Sequence, residues 1–173
     1  MTIEPITTIT NDQLDQLATL LHACVHTGAS VSFVLPFEHE DAKQWWLTKV
    51  APQITQGNRI LIAATQNHQI AGAVQLLLDT PPNQPHRADV AKLLVHPDAR
   101  RQGIARSLML ELEQQATNHN RTLLTLDTVT GSHAQALYED LGYHQAGIIP
   151  GYALNSTSTS FEPTTILYKH LGS

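Results

Sequence analysis

Hydrophobic positions recur with a helical period in four stretches of the chain. The first follows Thr10, which forms a capping-box pattern with Gln13, and its apolar residues share one helix face: Leu14, Leu17, Ala18, Leu21 and Val25. Similar patterns predict helices over about 37–54, 103–119 and from Ser132 to a stop at Gly142. Pro52 is predicted to kink or end the second of these helices.

Alternating or continuous apolar runs between these stretches predict seven strands. They cover about residues 2–8, 60–65, 70–78, 87–95, 122–128, 143–149 and 164–171. Asn67-His68 marks a hairpin turn, and a Ser/Thr-rich loop at 155–160 joins the last two strands. The order of elements predicts one mixed α/β domain over residues 1–173, with a mostly antiparallel sheet and a crossover helix after strand 87–95.

Composition narrows the class of protein. The 173 residues are 42% hydrophobic and 14% charged, which is enough to build one core. The formal net charge of −5 argues against a general nucleic-acid binder. One cysteine, Cys24, excludes an internal disulfide and fits a reducing cytoplasm. We find no signal-peptide pattern and no apolar run of membrane-spanning length, so we expect a cytoplasmic protein without membrane contact.

A basic glycine turn lies between the apolar run Val90–Val95 and the third helix. This turn, Arg100–Ala105, would place Gly103 at a helix N-terminus, where backbone N–H groups lack partners and the helix dipole favours an anion. Arg100, Arg101 and Arg106 add positive charge. The triphosphatase loop G-x-x-x-x-G-K-[ST] and the dinucleotide fingerprint G-x-G-x-x-G are both missing. The turn therefore predicts a phosphate site of another kind.

The pattern R-x-x-G-x-A at 100–105 resembles the acetyl-CoA pyrophosphate motif of the GNAT superfamily of N-acyltransferases. Leu93–Pro97 before it and the run Ala134–Tyr143 after it resemble that superfamily in order and spacing. The resemblance implies the GNAT fold, a mixed sheet of about seven strands flanked by four helices, and acetyl-CoA as cofactor. Further segments are similar to the tabtoxin-resistance acetyltransferase group, so that the likeness covers about residues 10–171: Gly28–Val31, Ala88–Leu93, Leu124–Thr128 and Pro150–Tyr152.

The resemblance also implies a set of cofactor contacts. Backbone groups of Leu93, Leu94 and Val95 would pair with the pantetheine chain like an added strand. The turn and the helix start would hold the diphosphate through Arg100, Arg101, Gln102, Gly103, Ile104, Ala105, Arg106 and Ser107. Many members carry Asn seven residues before the tyrosine that corresponds to Tyr138, and this chain has Gly131 at that position. The adjacent Ser132 is the candidate to replace that contact.

Acetyl transfer to an amine needs a general base and a proton donor for the leaving thiolate. By resemblance, Asp89 and Asp127 are the candidates for the base, and Tyr138 is the candidate acid. If both carboxylates converge on one cavity, their repulsion raises the pKa of at least one of them. The same carboxylates could instead bind the substrate ammonium. Each residue also has a purely structural alternative. Asp89 could be a solvated charge at a strand edge, Asp127 a turn residue at the entry to a helix, and Tyr138 a packed tyrosine of the core.

The acceptor side is defined least by the sequence. Ser30 and Phe33, before the second helix, and Tyr152 are the candidate substrate contacts. The histidines show no H-x-x-x-H or H-E-x-x-H spacing, so we predict no metal. The leading hypothesis is acetylation of a small-molecule amine, such as an amino-acid-like toxin or antibiotic, by a monomer or homodimer. The alternatives are acetylation of a protein N-terminus or lysine, and a non-catalytic acyl-CoA-binding module.

Overall fold

A computed structural model describes residues 1–172 as a seven-stranded sheet with helices on both faces. The strands are β1 (Thr2–Ile6), β2 (Arg59–Gln66), β3 (Gln69–Leu77), β4 (Arg87–Val95), β5 (Leu123–Val129), β6 (His144–Leu154) and β7 (Phe161–His170). Their order across the sheet is β1-β2-β3-β4-β5-β7-β6. Every neighbouring pair is antiparallel except β4 and β5, as the mostly antiparallel prediction requires.

The helical segments are α1 (Asn11–His26), α2 (His39–Trp45), α3 (Ala51–Thr55), α4 (Ile104–Asn118) and α5 (His133–Asp140). A π-helical turn, Trp46–Val50, joins α2 to α3, so that these two form one irregular helix and the sheet is flanked by four. This helix does not end at Pro52. The proline lies in the first turn of α3, where its missing N–H costs no hydrogen bond, and the irregular turn directly precedes it.

Side-chain caps begin the two helices for which the sequence predicts them. At Thr10 the capping box is complete: Gln13 N donates to Thr10 Oγ1 at 3.2 Å, and Thr10 N donates to Gln13 Oε1 at 3.0 Å. At Ser132 only half of the box forms. Gln135 N donates to Ser132 Oγ at 3.1 Å, but Gln135 Oε1 accepts from Gly131 N at 2.7 Å instead of from Ser132.

Two hydrophobic cores lie on opposite faces of the sheet. One packs α1 and the α2–α3 helix against β2 and β3, around the fully buried Trp46, whose Nε1 donates to Leu17 O at 2.9 Å. The other packs α4 and α5 against β3, β4, β5 and β7. The first core lies over the β1–β4 half of the sheet, whereas the second continues across the junction of β4 and β5.

The contact between β4 and β5 is short. Only Arg87–Asp89 pair with Leu123–Thr125, in parallel. Farther along β4, its register against β3 shifts between Leu94 and Ala91, and Lys92 there has a φ of +53°. This irregularity is a β-bulge, which bends β4 where its pairing with β5 ends. The two strands therefore part beyond Asp89 and leave a gap that opens towards α4 and α5.

The last two strands are longer than the sequence predicts. They extend to Leu154 and begin at Phe161, because the Ser/Thr-rich segment between them is a compact turn and not a loose loop. Asn155 holds this turn: its Oδ1 accepts from Thr159 N at 2.9 Å, and its Nδ2 donates to Ser160 Oγ at 3.0 Å. Within residues 1–172, no helix combines the length and the apolar character that crossing a bilayer would require.

Candidate functional site

A cavity of about 510 Å³ occupies the gap between β4 and β5. The loop after α1, the bulged part of β4, the end of β5, the start of α5 and the β6–β7 hairpin supply its walls. It contains residues from each group that the sequence singles out: Ser30, Leu93, Arg100, Asp127, Ser132, Tyr138 and Tyr152. The gap thus brings some residues of each predicted group to one place, while Asp89 and Phe33 are not among the lining residues.

The N-terminus of α4 is open to a ligand. Gly103 is its N-cap, with a φ of +79° and no side-chain cap, and a Cβ built there would meet no atom within 4 Å. Among the described residues, no acceptor takes a hydrogen bond from the N–H groups of residues 101–106; the first helical bond runs from Ser107 N to Gly103 O at 3.0 Å. Free donors at a helix start form an anion site.

The three arginines near this turn do not act as one cluster. Arg100 reaches back to the loop after α1, where its Nη2 donates to Thr27 Oγ1 at 3.1 Å. Arg101 is exposed, with a φ of +61°, and lies next to the free amides. Arg106 instead pairs with Asp140 of α5 at 3.6 Å. Only Arg100 and Arg101 therefore remain close to the turn, and Arg106 is drawn towards α5.

The rest of the predicted cofactor set lies on β4 and α4. Leu93 lines the cavity, the side chain of Leu94 is buried under α1, and Val95 O accepts from Cys24 Sγ at 3.4 Å. The pairing with β5 ends at Asp89, so the β5-facing edge of residues 90–95 has no strand partner. On the turn and helix, Gln102 contacts Gln66, Ile104 is buried in the core, and Ala105 and Ser107 are half-buried.

Asp127 and Asp89 lie on the same face of adjacent strands, but only Asp127 lines the cavity. Asp127 is exposed and its Oδ2 accepts one hydrogen bond, from Thr164 Oγ1 at 3.3 Å. Asp89 pairs in register with Thr125, and its carboxylate is bound by both Arg87 and Thr125. The two carboxylates do not converge as the sequence interpretation supposes, because Arg87 holds Asp89 at the point where β4 and β5 are still joined.

Tyr138 enters the cavity from α5 and is only 6% exposed. Its ring packs in the core, with its centroid 5.7 Å from that of Tyr143. Burial raises the pKa of the Tyr138 phenol well above its usual range, and the nearby negative charge of Asp127 raises it further. The hydroxyl therefore stays protonated at all physiological pH values. The core and catalytic interpretations of this residue are compatible, since the ring is packed while the cavity reaches it.

The acceptor candidates divide between the cavity and its surroundings. Ser30, from the loop after α1, and the half-exposed Tyr152, from β6, both line the cavity. Phe33 lies behind the lining and packs against Phe37 and Trp45, with ring centroids 4.7 Å and 5.4 Å away. Phe33 is therefore a supporting residue for this wall and does not itself line the cavity.

Comparisons with known proteins agree with this architecture. A family model described as an acetyltransferase (GNAT) domain matches residues 34–149. The chain belongs to the GNAT family of acetyltransferases. A relative from Azospirillum brasilense, described as an uncharacterized N-acetyltransferase in the hisH-hisA intergenic region, is 30% identical over 130 residues, or 73% of this chain and 74% of the relative.

Solved structures of other GNAT proteins share the fold over the whole chain. A ribosomal-protein-alanine N-acetyltransferase from Brucella melitensis superposes with a TM-score of 0.79 at 19% identity, covering 99% of this chain and 100% of the other. The acetyltransferase yncA from Salmonella typhimurium, solved with acetyl-CoA, has a TM-score of 0.78 at 12% identity and covers 99% and 94%. By its family, this chain is an acetyl-CoA-dependent N-acetyltransferase.

The residues present fit acetyl-CoA. Free amides at the start of α4 and the open space over Gly103 suit a diphosphate, and the unpaired edge of β4 suits an extended amide chain. When bound, acetyl-CoA supplies an activated acetyl thioester. At the family's asparagine position, Gly131 has a φ of +76° and no side chain, and Ser132 Oγ already accepts from Gln135 N. Ser132 Oγ also lies within hydrogen-bond distance of Thr128 Oγ1, at 3.3 Å, so its hydroxyl keeps one further hydrogen-bonding position for a ligand in the cavity that it lines.

The sequence interpretation missed Lys92. This residue sits on the bulge of β4, lines the cavity, and donates from Nζ to Ser32 Oγ at 2.8 Å. Burial lowers the pKa of its ammonium, the positive charge of Arg59 lowers it too, and the negative charge of Asp127 opposes both effects. Strict alternation cannot tell which way a bulged residue points, so no pattern in the sequence identifies Lys92 as a cavity residue.

Proposed function

We propose that this GNAT enzyme acetylates the amine of a small molecule, with Asp127 as general base and Tyr138 as general acid. One observation carries the proposal: both side chains line the same cavity at the parting of β4 and β5, which Arg100 of the turn before α4 also lines. Asp127 is exposed enough to accept a proton from an incoming ammonium. Tyr138 keeps its proton until a thiolate forms beside it.

The cofactor contacts follow from the same geometry. The N–H groups of residues 101–106 donate to the diphosphate, with Arg100 and Arg101 adding positive charge. The free edge of Leu93–Val95 pairs with the pantetheine amides, and a β4 N–H polarises the thioester oxygen. Ser132 contacts the chain near its end, in place of the family's asparagine. Ser107 follows the turn on α4 as a peripheral contact.

The size of the cavity favours a small acceptor over a protein chain. The cavity of about 510 Å³ also has to hold the thioester end of the cofactor, so that the space left for the acceptor, lined by the loop after α1 and by Tyr152, suits a small ligand. The resemblance to the tabtoxin-resistance group suggests an amino-acid-like toxin or antibiotic, which a cytoplasmic enzyme would detoxify. The likeness to a ribosomal-protein acetyltransferase rests on 19% identity and concerns the fold, so it does not identify the acceptor.

Paired aspartate variants test the assignment of the base. Thiol release from acetyl-CoA is followed with a panel of small amines for the wild type, Asp127→Asn and Asp89→Asn. Asp127→Asn should lower kcat about 10²-fold or more, because the amine then loses its proton acceptor. Asp89→Asn should keep kcat within a few-fold while lowering the Tm, because Arg87 loses its ionic partner. Equal activity of Asp127→Asn and wild type would reject the assignment.

A further inference from the structure

Lys92 occupies an unusual place for a lysine. It sits at the β4 bulge in a left-handed backbone conformation, with a φ of +53°, which non-glycine residues adopt rarely and at a cost. The side chain is half-buried and its Nζ lies 5.9 Å from the ring centroid of Phe33 and 5.8 Å from that of Trp45. These two rings hold the ammonium at the wall of the cavity by cation–π attraction.

The charge of Lys92 has no counter-ion among the described residues. Its one hydrogen bond there goes to the neutral hydroxyl of Ser32, which leaves two of its three N–H groups free. No carboxylate lies within 4.0 Å of Nζ in residues 1–172. A partly desolvated ammonium without a carboxylate destabilises the fold, so packing alone does not explain a lysine at this position.

Lys92 and Asp127 face the cavity from the two strands that part. Lys92 is on β4 and Asp127 on β5, both beyond the last β4–β5 pair at Asp89 and Thr125. Each lines the cavity, and they are too far apart to form an ion pair with each other. The lining also includes Arg100 and Glu162, but Lys92 and Asp127 are the cation and the anion that face the gap from the two parting strands. The space between them suits a ligand with opposite charges at its two ends.

We propose that Lys92 binds an anionic group of the acceptor, so that the acceptor is a zwitterion of the amino-acid type. Its ammonium lies towards Asp127, where the proton is removed, and its carboxylate accepts hydrogen bonds from Lys92 Nζ. Lys92 is then a specificity-determining residue and not a proton-transfer group. This assignment rests on the proposed function, because Asp127 defines where the amine lies.

Ser32 completes this subsite. Its hydroxyl accepts from Lys92 and can still donate its own proton to the same anion. Ser32 also has a positive φ, +78°, and belongs to the cavity-lining loop after α1. The bond from Lys92 thus ties this loop to the β4 bulge and fixes the direction of both side chains before an acceptor enters.

The experiment compares acceptors that differ only in the anionic group. Amino acids and their carboxamides are assayed as matched pairs, at saturating acetyl-CoA, for the wild type, Lys92→Met and Lys49→Met. Methionine preserves the length and apolar stem of the lysine but removes its charge. Lys49 is an exposed lysine of the π-helical turn and serves as the matched control.

In the wild type, kcat/KM for the best amino acid should exceed that for its amide by about tenfold or more, the usual worth of a charge-assisted hydrogen bond. Lys92→Met should bring this ratio close to one, mainly through KM for the acid, with KM for acetyl-CoA unchanged. Lys49→Met should behave as the wild type.

Two results would overturn the inference while the proposed function stands. One is a wild type that does not distinguish acids from amides. The other is a Lys92→Met variant that slows both acceptors equally, which would indicate a structural or proton-transfer role for the lysine. If the wild type acetylates no small amine of the panel, the proposed function itself is wrong, and the Lys92 assignment is wrong with it.

Discussion

Gly72 of β3 and Ile104, the first residue of α4, lie in direct contact. A Cβ added to Gly72 would be 2.9 Å from Ile104 Cγ2 and 2.9 Å from the carbonyl oxygen of Leu94. Both distances are shorter than side chains tolerate, and one of the two atoms belongs to the backbone. The missing side chain at Gly72 therefore sets how closely the start of α4, with its free amides, approaches the sheet.

Gly72→Ala should displace this helix start. We expect the free energy of unfolding to fall by about 1–3 kcal/mol, because the added methyl overpacks the core, and coenzyme A binding to weaken as the amides move. Thermal unfolding and calorimetric titration with coenzyme A measure the two effects. Gly147→Ala is the control, since a Cβ there meets no atom within 4 Å and its φ is not positive. Unchanged coenzyme A affinity in Gly72→Ala would contradict this role of the contact.

Gly103→Val should weaken coenzyme A binding about tenfold or more, because a branched side chain at the N-cap would fill the space that the diphosphate needs. Gly57→Val is a matched control: Gly57 has a similar φ, +74° against +79°, and equally open surroundings, but lies in the turn before β2. Both variants should lose about 1–2 kcal/mol of stability to backbone strain. Only Gly103→Val should lose affinity, as measured by titration calorimetry; equal losses would assign the effect to strain.

Tyr138→Phe should lower kcat about 10²-fold with little change in either KM, because the packed ring remains and only the proton donor is lost. Burial raises the pKa of this phenol above the ordinary tyrosine value of about 10. Wild-type kcat should therefore not fall between pH 6 and pH 9 through deprotonation of Tyr138. Tyr143→Phe is the control, since Tyr143 is buried against Tyr138 but does not line the cavity. A similar loss in both variants would indicate that packing is responsible.

Lys92→Met should stabilise the protein at neutral pH. Burial lowers the pKa of Lys92 in the folded protein, which means that keeping its ammonium charged at neutral pH costs folding free energy. Removing the charge removes this cost, and the Tm should rise by roughly 2–4 °C per kcal/mol gained. The stability gained by Lys92→Met is largest at pH values below the pKa of Lys92 in the folded protein. It shrinks as pH rises from that pKa to the ordinary lysine value, because there the wild type folds with a neutral Lys92.

The preference for acids over amides should decline over the same alkaline range. Lys92 loses its charge at lower pH than an ordinary lysine, and the charges that bear on it are Arg59, which lowers its pKa, and Asp127, which raises it. Differential scanning calorimetry and the acid-to-amide ratio of kcat/KM, both measured against pH, test these two expectations. A preference that persists undiminished above the ordinary lysine pKa would contradict a role for the Lys92 charge.

The order and type of the elements follow from patterns that the sequence shows directly. The structure confirms the helices that begin after Thr10 and Ser132 and the hairpin turn at Asn67-His68. Each of these features depends only on residues a few positions apart in the chain. The R-x-x-G-x-A pattern places the helix start correctly for the same reason. These features are local, so a single chain is enough to predict them.

Side-chain direction in the cavity depends on contacts that are remote in the chain. Asp89 is held by Arg87 and by Thr125 of another strand, which the sequence gives no means of pairing. Lys92 enters the cavity because β4 shifts register against β3, and Arg106 turns to Asp140 because α5 lies beside α4. Each departs from the sequence interpretation through a tertiary contact that overrides alternation or local clustering.

Within residues 1–172, the sheet's two halves, β1–β4 and β5–β7–β6, are joined by three residue pairs between β4 and β5 and by the backbone bonds from Thr122 and Leu123 to His86 beside them. Because this β4–β5 junction is short, we expect the sheet to open locally there more readily than elsewhere. A bound ligand that contacts both β4 and β5 would oppose this opening. With ligand bound, the backbone amides at the β4–β5 junction should then exchange with deuterium more slowly than those of the distant β1–β2 edge. The short pairing that leaves space for the ligands thus also makes the local stability of the sheet depend on whether a ligand is bound.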